Sequence, residues 1–219
     1  MEGSVYQIFG ICISKLFRLA CFLYNLFKAG ERKEMIYGVI GLPGSGKTLF
    51  LTLMGYVAYR KNYKVMSNYK LGFDHQPISF DDLARFKIEN VVLLWDEMHM
   101  LFDSRRSMSL VNMAISYLVL QSRKRNINLI YSTQTLNQVD RRLRLITNYY
   151  VMCEKEKAKK RFVYRFLPQA GKAFSYILPY YKAYRLYPLF DTSEYYDIIE
   201  SLKLSQKLAE AMKNELSAA

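Results

Sequence analysis

The sequence predicts an α/β domain with a mostly parallel central sheet, and three observations carry that expectation. Short apolar runs suited to buried strands alternate with helical stretches. A glycine-rich phosphate loop joins the first run to the first helix, and a later run ends in two adjacent acids. The runs fall at residues 35–40, 64–69, 90–95, 128–133 and 149–153, with helical stretches at 47–60 and 108–124. The chain has 219 residues, 51% hydrophobic and 15% aromatic, which suits one sizeable core and excludes wholesale disorder or a collagen-like repeat. Residues 35–219 are therefore read as one main domain, and residues 1–34 as an N-terminal amphipathic helix with a charged junction.

Residues 4–27 are strongly apolar, yet Lys15 and Arg18 interrupt them. The charge-free stretch 3–14 is shorter than the ~20 residues of a membrane-spanning helix. Glu2 stands where a signal peptide would carry positive charge. On a helix, Ser4, Gln7, Ser14, Lys15, Arg18 and Asn25 share one sector, while Tyr6, Phe9, Ile13, Leu16, Leu23 and Phe27 lie elsewhere. Such a helix can dock on the domain, on a neighbouring subunit or capsid-type protein, or on a membrane surface. Ala29-Gly30 ends it.

The segment 35–40 reads as a buried strand, followed at once by Gly41-Leu42-Pro43-Gly44-Ser45-Gly46-Lys47-Thr48. This matches G-x-x-x-x-G-K-[ST] in full, in the strand-loop-helix context that the motif requires. Gly41, Pro43, Gly44, Ser45 and Gly46 shape a loop whose backbone N–H groups turn toward phosphate oxygens. Lys47 can reach the β and γ phosphates of ATP, and Thr48 can hold Mg²⁺. A second carboxylate-bearing strand end is needed for the metal, and Val91-Val92-Leu93-Leu94-Trp95-Asp96-Glu97 supplies it. Asp96 is the metal candidate, and Glu97 is placed to polarise an attacking water. A third strand, 129–133, ends in Gln134, an amide able to touch both γ phosphate and water.

Beyond residue 160 the texture changes. Residues 161–167 and 181–187 look like Tyr-rich strands around Pro168, Gly171 and Pro179, and a polar helix is expected from about Ser193.

With the phosphate loop, Trp95-Asp96-Glu97 and Ser132-Thr133-Gln134 in place, the chain resembles the additional-strand P-loop ATPases of the FtsK/HerA superfamily. Within it, the chain looks similar to viral genome-packaging ATPases and to Zot-like proteins of filamentous phages. Softer likenesses are Ser67-Asn68-Tyr69, Asp103-Ser104-Arg105 and Leu189-Phe190-Asp191-Thr192. The resemblance implies a RecA-like sheet, a homo-oligomeric ring, often hexameric, and ATP hydrolysis coupled to moving DNA. It also implies an arginine supplied by the neighbouring subunit, for which Arg141, Arg142 and Arg144 come first and Arg123 and Arg125 second.

Formal net charge is +13, fitting a polyanionic partner, DNA or an anionic membrane. Two basic clusters stand out: Arg123, Lys124, Arg125, Arg141, Arg142 and Arg144 against the single acid Asp140, and the run 155–165. The alternative for either is a solvated face or a subunit contact. Cys12, Cys21 and Cys153 are odd in number and widely spaced, which favours a reducing interior over a secreted disulfide scaffold, and two histidines are too few for a histidine metal site. The expected work is DNA translocation, packaging a viral genome into the virion. The alternative is a Zot-like membrane-associated ATPase driving virion extrusion or plasmid transfer, in the host cytoplasm, on the virion or peripherally at a membrane. A small-molecule kinase fits less well, because Asp96-Glu97 suits activation of water.

Overall fold

The computed structural model describes residues 35–78, 89–98, 124–139 and 141–195, the last four by backbone alone. The expected N-terminal helix, the body of the expected helix 108–124 and Asp103-Ser104-Arg105 lie outside the described residues. In chain order the elements are β1 (Ile36–Ile40), α1 (Lys47–Tyr59), β2 (Lys64–Ser67), β3 (Tyr69–Leu71), β4 (Gln76–Pro77) and β5 (Val91–Trp95). They continue with β6 (Ile127–Thr133), α2 (Arg141–Ile146), β7 (Tyr149–Glu156), β8 (Arg161–Pro168), β9 (Phe174–Pro179), α3 (Tyr180–Ala183) and β10 (Phe190–Tyr195).

Strands β1 and β5 are buried at every position, and so is β6. A strand covered on both faces needs no polar alternation, which is why these segments are continuous apolar runs. They belong to an eight-stranded sheet in the order β4-β2-β5-β6-β1-β7-β8-β9. The first six strands are parallel to their neighbours, and β8 and β9 return antiparallel. The mostly parallel sheet expected from the sequence is thus present, and the Tyr-rich segment extends the same sheet. A separate pair joins β10 to β3, with Phe190 opposite Leu71.

One face of the sheet carries Tyr37, Val39, Val65, Val92, Leu94, Ile130, Val151 and Phe166, all packed with α1 in a single core. The helix is apolar nearly all round, and Leu49, Phe50, Leu51, Leu53, Met54 and Ala58 are buried. Phe50 packs on the rings of Tyr164 and Phe166 at 5.0 and 5.6 Å between centroids. Residues of the other parity, among them Leu93, Trp95, Leu129 and Tyr131, are buried on the opposite face, and Leu143 of α2 is buried as well. Tyr131 there shares a 2.9 Å hydrogen bond with Thr147.

Two local expectations fail. Residues 181–187, expected as a strand, form α3 and a short 3-10 turn, Tyr187–Leu189. Ala183, Leu186 and Leu189 recur every third residue on the core side while Tyr181, Tyr184 and Tyr187 face out, a helical spacing that overrides the β preference of tyrosine. Ser193, expected to open a helix, lies in β10, and residues 196–219 are outside the described residues.

Candidate nucleotide site

Strands β1, β5 and β6 end side by side, with β6 between the other two. Their carboxyl ends therefore deliver the phosphate loop, the acidic pair and Gln134 to one edge of the sheet, where open α/β sheets bind ligands. Gly44 and Gly46 hold φ of 73° and 93°, in the left-handed region. At Gly46 a side chain is also excluded by space, since a Cβ would meet Phe162 at 2.8 Å and the Tyr164 hydroxyl at 3.0 Å. Gly46 caps α1 with no side-chain hydrogen bond, which leaves the helix's first N–H groups for an anion. Ser45 Oγ is buried with no hydrogen-bond partner. An orphaned hydroxyl beside the open N-terminus of a helix fits a phosphate oxygen.

Lys47, only 5% exposed, donates to the Leu42 carbonyl at 3.4 Å and lies 3.4 Å from Glu97 Oε1. Thr48 Oγ1 donates to Asp96 Oδ2 at 2.6 Å. A hydroxyl and a carboxylate oxygen so close together suit Mg²⁺, which takes one or two protein oxygens and completes its shell with phosphate and water. Among the described residues there is no cluster of three His, Cys, Asp or Glu side chains.

The acidic pair is held by Ser132 and Asn68, which the sequence marks as likenesses without a role. Asp96 is buried, and Ser132 donates to its Oδ1. The same Ser132 hydroxyl accepts the Glu97 N–H at 2.8 Å. Asn68 reaches from the end of β2 with both ends of its amide, donating to the Asp96 carbonyl at 2.9 Å and accepting the Asp96 N–H at 2.8 Å. These two bonds continue the β2–β5 ladder one step past the strands. Glu97 itself sits at φ 49°, a left-handed conformation that a glutamate adopts at a cost of ~1–3 kcal/mol and that surrounding bonds must enforce. The bend sends Glu97 toward Lys47 while Asp96 stays with Thr48.

Phe162 and Tyr164 on β8 wall the outer side of the phosphate loop, and the Tyr164 hydroxyl donates to the Gly46 carbonyl at 3.2 Å. Cys153 lies beneath the loop, its thiol pushed up by burial. Gln134 directly follows β6 and is half-buried. Arg141 and Arg142 open α2 and are exposed, whereas Arg144 is half-buried. The basic run 155–165 is the β7–β8 hairpin, rising beyond the phosphate loop. No helix among the described residues is long and apolar enough to cross a membrane.

Fold and site together define a P-loop ATPase with a RecA-like sheet and an added strand between the phosphate-loop strand and the acidic strand. The family model described as zonular occludens toxin (Zot) matches residues 71–185, more than half of the chain, and the chain belongs to this family. The matched span includes Asp96, Glu97, Gln134, Arg141 and Arg142, while the phosphate loop precedes it. Among solved structures, the N-terminal domain of zonular occludens toxin from Neisseria meningitidis superposes with a TM-score of 0.53 at 18% identity, over 73% of this chain and 100% of that one. The pCW3 conjugation coupling protein TcpA with ATPγS gives 0.51 at 15% identity, over 78% and 65%. The genome packaging NTPase B204 from Sulfolobus turreted icosahedral virus 2 gives 0.47 at 15% identity, over 65% and 96%. No curated protein matches the chain by sequence.

Proposed function

We propose that this chain is an ATP-hydrolysing motor that acts on DNA in an oligomeric assembly. The observation that carries the hydrolysis is the convergence of Lys47, Thr48, Asp96 and Glu97 beside an uncapped helix N-terminus. Thr48 and Asp96 would hold Mg²⁺, which when bound neutralises charge on the β and γ phosphates. Lys47, now against Glu97 and Leu42, turns to the phosphates when ATP enters, which releases the Glu97 carboxylate to orient water. Gln134 touches the same water or the γ phosphate from the end of β6. Arg141 and Arg142, exposed on α2, are the proposed arginines acting across a subunit contact.

Membership of the Zot family favours the motor of virion extrusion or DNA transfer over genome packaging, and the likeness to a conjugation coupling protein agrees with it. Residues 4–27 are then the proposed contact with a membrane surface from the cytoplasmic side. Steady-state ATP hydrolysis with and without DNA tests the reading. Hydrolysis stimulated by DNA is expected, and turnover indifferent to DNA together with no DNA binding at low salt would overturn it.

A further inference from the structure

The segment after β9 builds an exposed row of aromatic rings. Tyr181, Tyr184 and Tyr187 are 64%, 62% and 41% exposed, although Ala183, Leu186 and Leu189 between them are buried. A line of rings touches in sequence, Tyr180 to Tyr184 at 6.3 Å, Tyr184 to Tyr187 at 5.6 Å and Tyr187 to Phe190 at 6.0 Å between centroids, and Tyr181 faces outward beside it. All three contacts are edge-to-face, so the rings brace one another, and two aromatic bodies stand largely in water. Nothing in core packing requires large apolar rings at positions 181 and 184.

The row is framed by positive charge. The Tyr180 N–H donates to the Lys160 carbonyl at 2.9 Å, which fixes the row against the tip of the β7–β8 hairpin. That tip is Lys157-Ala158-Lys159-Lys160, all exposed. Lys155 Nζ lies 5.6 Å from the Tyr180 ring and Lys182 Nζ 5.9 Å from the Tyr181 ring. Of the nearby acids, Glu156 is engaged by Arg161 and Lys159, and Glu154 by Arg165. The patch is thus cationic, with aromatic faces inside it.

Cations suit any polyanion, and exposed rings add stacking affinity for a ligand that presents unstacked planar groups. A duplex hides its base faces, and a lipid surface has none. We infer that the Tyr181–Tyr184–Tyr187 row, with Lys157, Lys160 and Lys182, is a binding platform for single-stranded nucleic acid, bases on the rings and phosphates on the lysines. The inference rests on the reading of the chain as a DNA-handling ATPase and adds the strandedness and the place of contact. The platform adjoins the nucleotide loop through Phe162, which packs on Tyr180 at 5.1 Å and crowds Gly46.

The test is fluorescence anisotropy of the full chain with a labelled oligothymidylate, an abasic oligonucleotide of equal length and a duplex. ATP affinity and circular dichroism are recorded in parallel. The expected order is oligothymidylate tightest, with Tyr181→Ala/Tyr184→Ala weakening it about tenfold and leaving the abasic strand unchanged. The Phe variants at both positions should retain binding, because a phenyl ring stacks as well. Lys157→Ala/Lys160→Ala should flatten the salt dependence by about 1.4 in log–log slope. Oligothymidylate binding that ignores the alanine variants, or that equals abasic binding, overturns the platform alone. Loss of ATP affinity in the tyrosine variants with DNA binding intact would assign the rings to the nucleotide base instead and overturns it too. Failure of the wild type to bind any DNA would overturn the DNA-handling reading as well.

Discussion

Removing one buried hydroxyl should separate the two halves of this site. Ser132 is fully buried and makes both a bond to Asp96 and the bond that receives the Glu97 N–H. Ser132→Ala deletes a charge-assisted hydrogen bond worth about 1.5–3 kcal/mol and strands a part-buried N–H at a cost of about 1–3 kcal/mol. A net loss of about 3 kcal/mol corresponds to a fall of about 6–12 °C in Tm for a domain of this size. The chemical effect is separate. Without Ser132 the Glu97 N–H loses its 2.8 Å bond to that hydroxyl, and the left-handed turn that aims the carboxylate relaxes. Misaiming a catalytic group by about 1 Å costs on the order of 10²-fold in kcat, and Mg²⁺-dependent nucleotide binding should weaken less, because Asp96 loses one bond to its carboxylate while the phosphate loop is untouched. Urea unfolding and steady-state phosphate release measure the two effects on the same preparation. A variant with wild-type stability and wild-type kcat would refute the role given to Ser132.

Three further outcomes are expected. Asn68→Ala loses both bonds to the Asp96 backbone and should lower stability by about 2 kcal/mol, read by urea midpoint, with weaker Mg²⁺-dependent nucleotide binding. Gly46→Ala forces a Cβ against Phe162 in a left-handed conformation, so ATP binding measured by a fluorescent analogue should fall at least tenfold. Burial pushes the hydroxyls of Tyr37, Tyr131 and Tyr164 and the Cys153 thiol upward, and that of Tyr176 up to about 12. The folded chain therefore holds these protons longer than the unfolded chain does. Stability should be intact below pH 9 and decline as pH rises from about 9 to 12, which pH-dependent urea midpoints would show.

What the sequence made legible is what lies within one short stretch. Gly41 to Thr48 carry their chemistry by local spacing, and the two acids announce themselves by ending an apolar run. Gln134 could be placed as well, because β6 is buried throughout and its polar end is abrupt. Asn68 and Ser132 stood in stretches that carry the resemblance, but their roles were not legible, since they act on a partner 28 and 36 residues away. Tyr164 reaches Gly46 across 118 residues. Nothing local distinguishes such a serine or tyrosine from any other; only the strand order, which sets β2, β5 and β6 beside one another, brings them into use. The 181–187 segment misleads for a different reason: tyrosines favour strands in general, but three small or aliphatic residues at a spacing of three decide the local structure by burial.

The most direct measurement of the central claim is single-turnover phosphate release from ATP by wild type and Glu97→Gln, with nucleotide binding measured on both. The isosteric amide keeps the shape of the turn but lacks a base, so binding should be retained while turnover falls by about 10²–10⁴-fold. Turnover in Glu97→Gln equal to that of the wild type would contradict the assignment of Glu97 as the group that activates water.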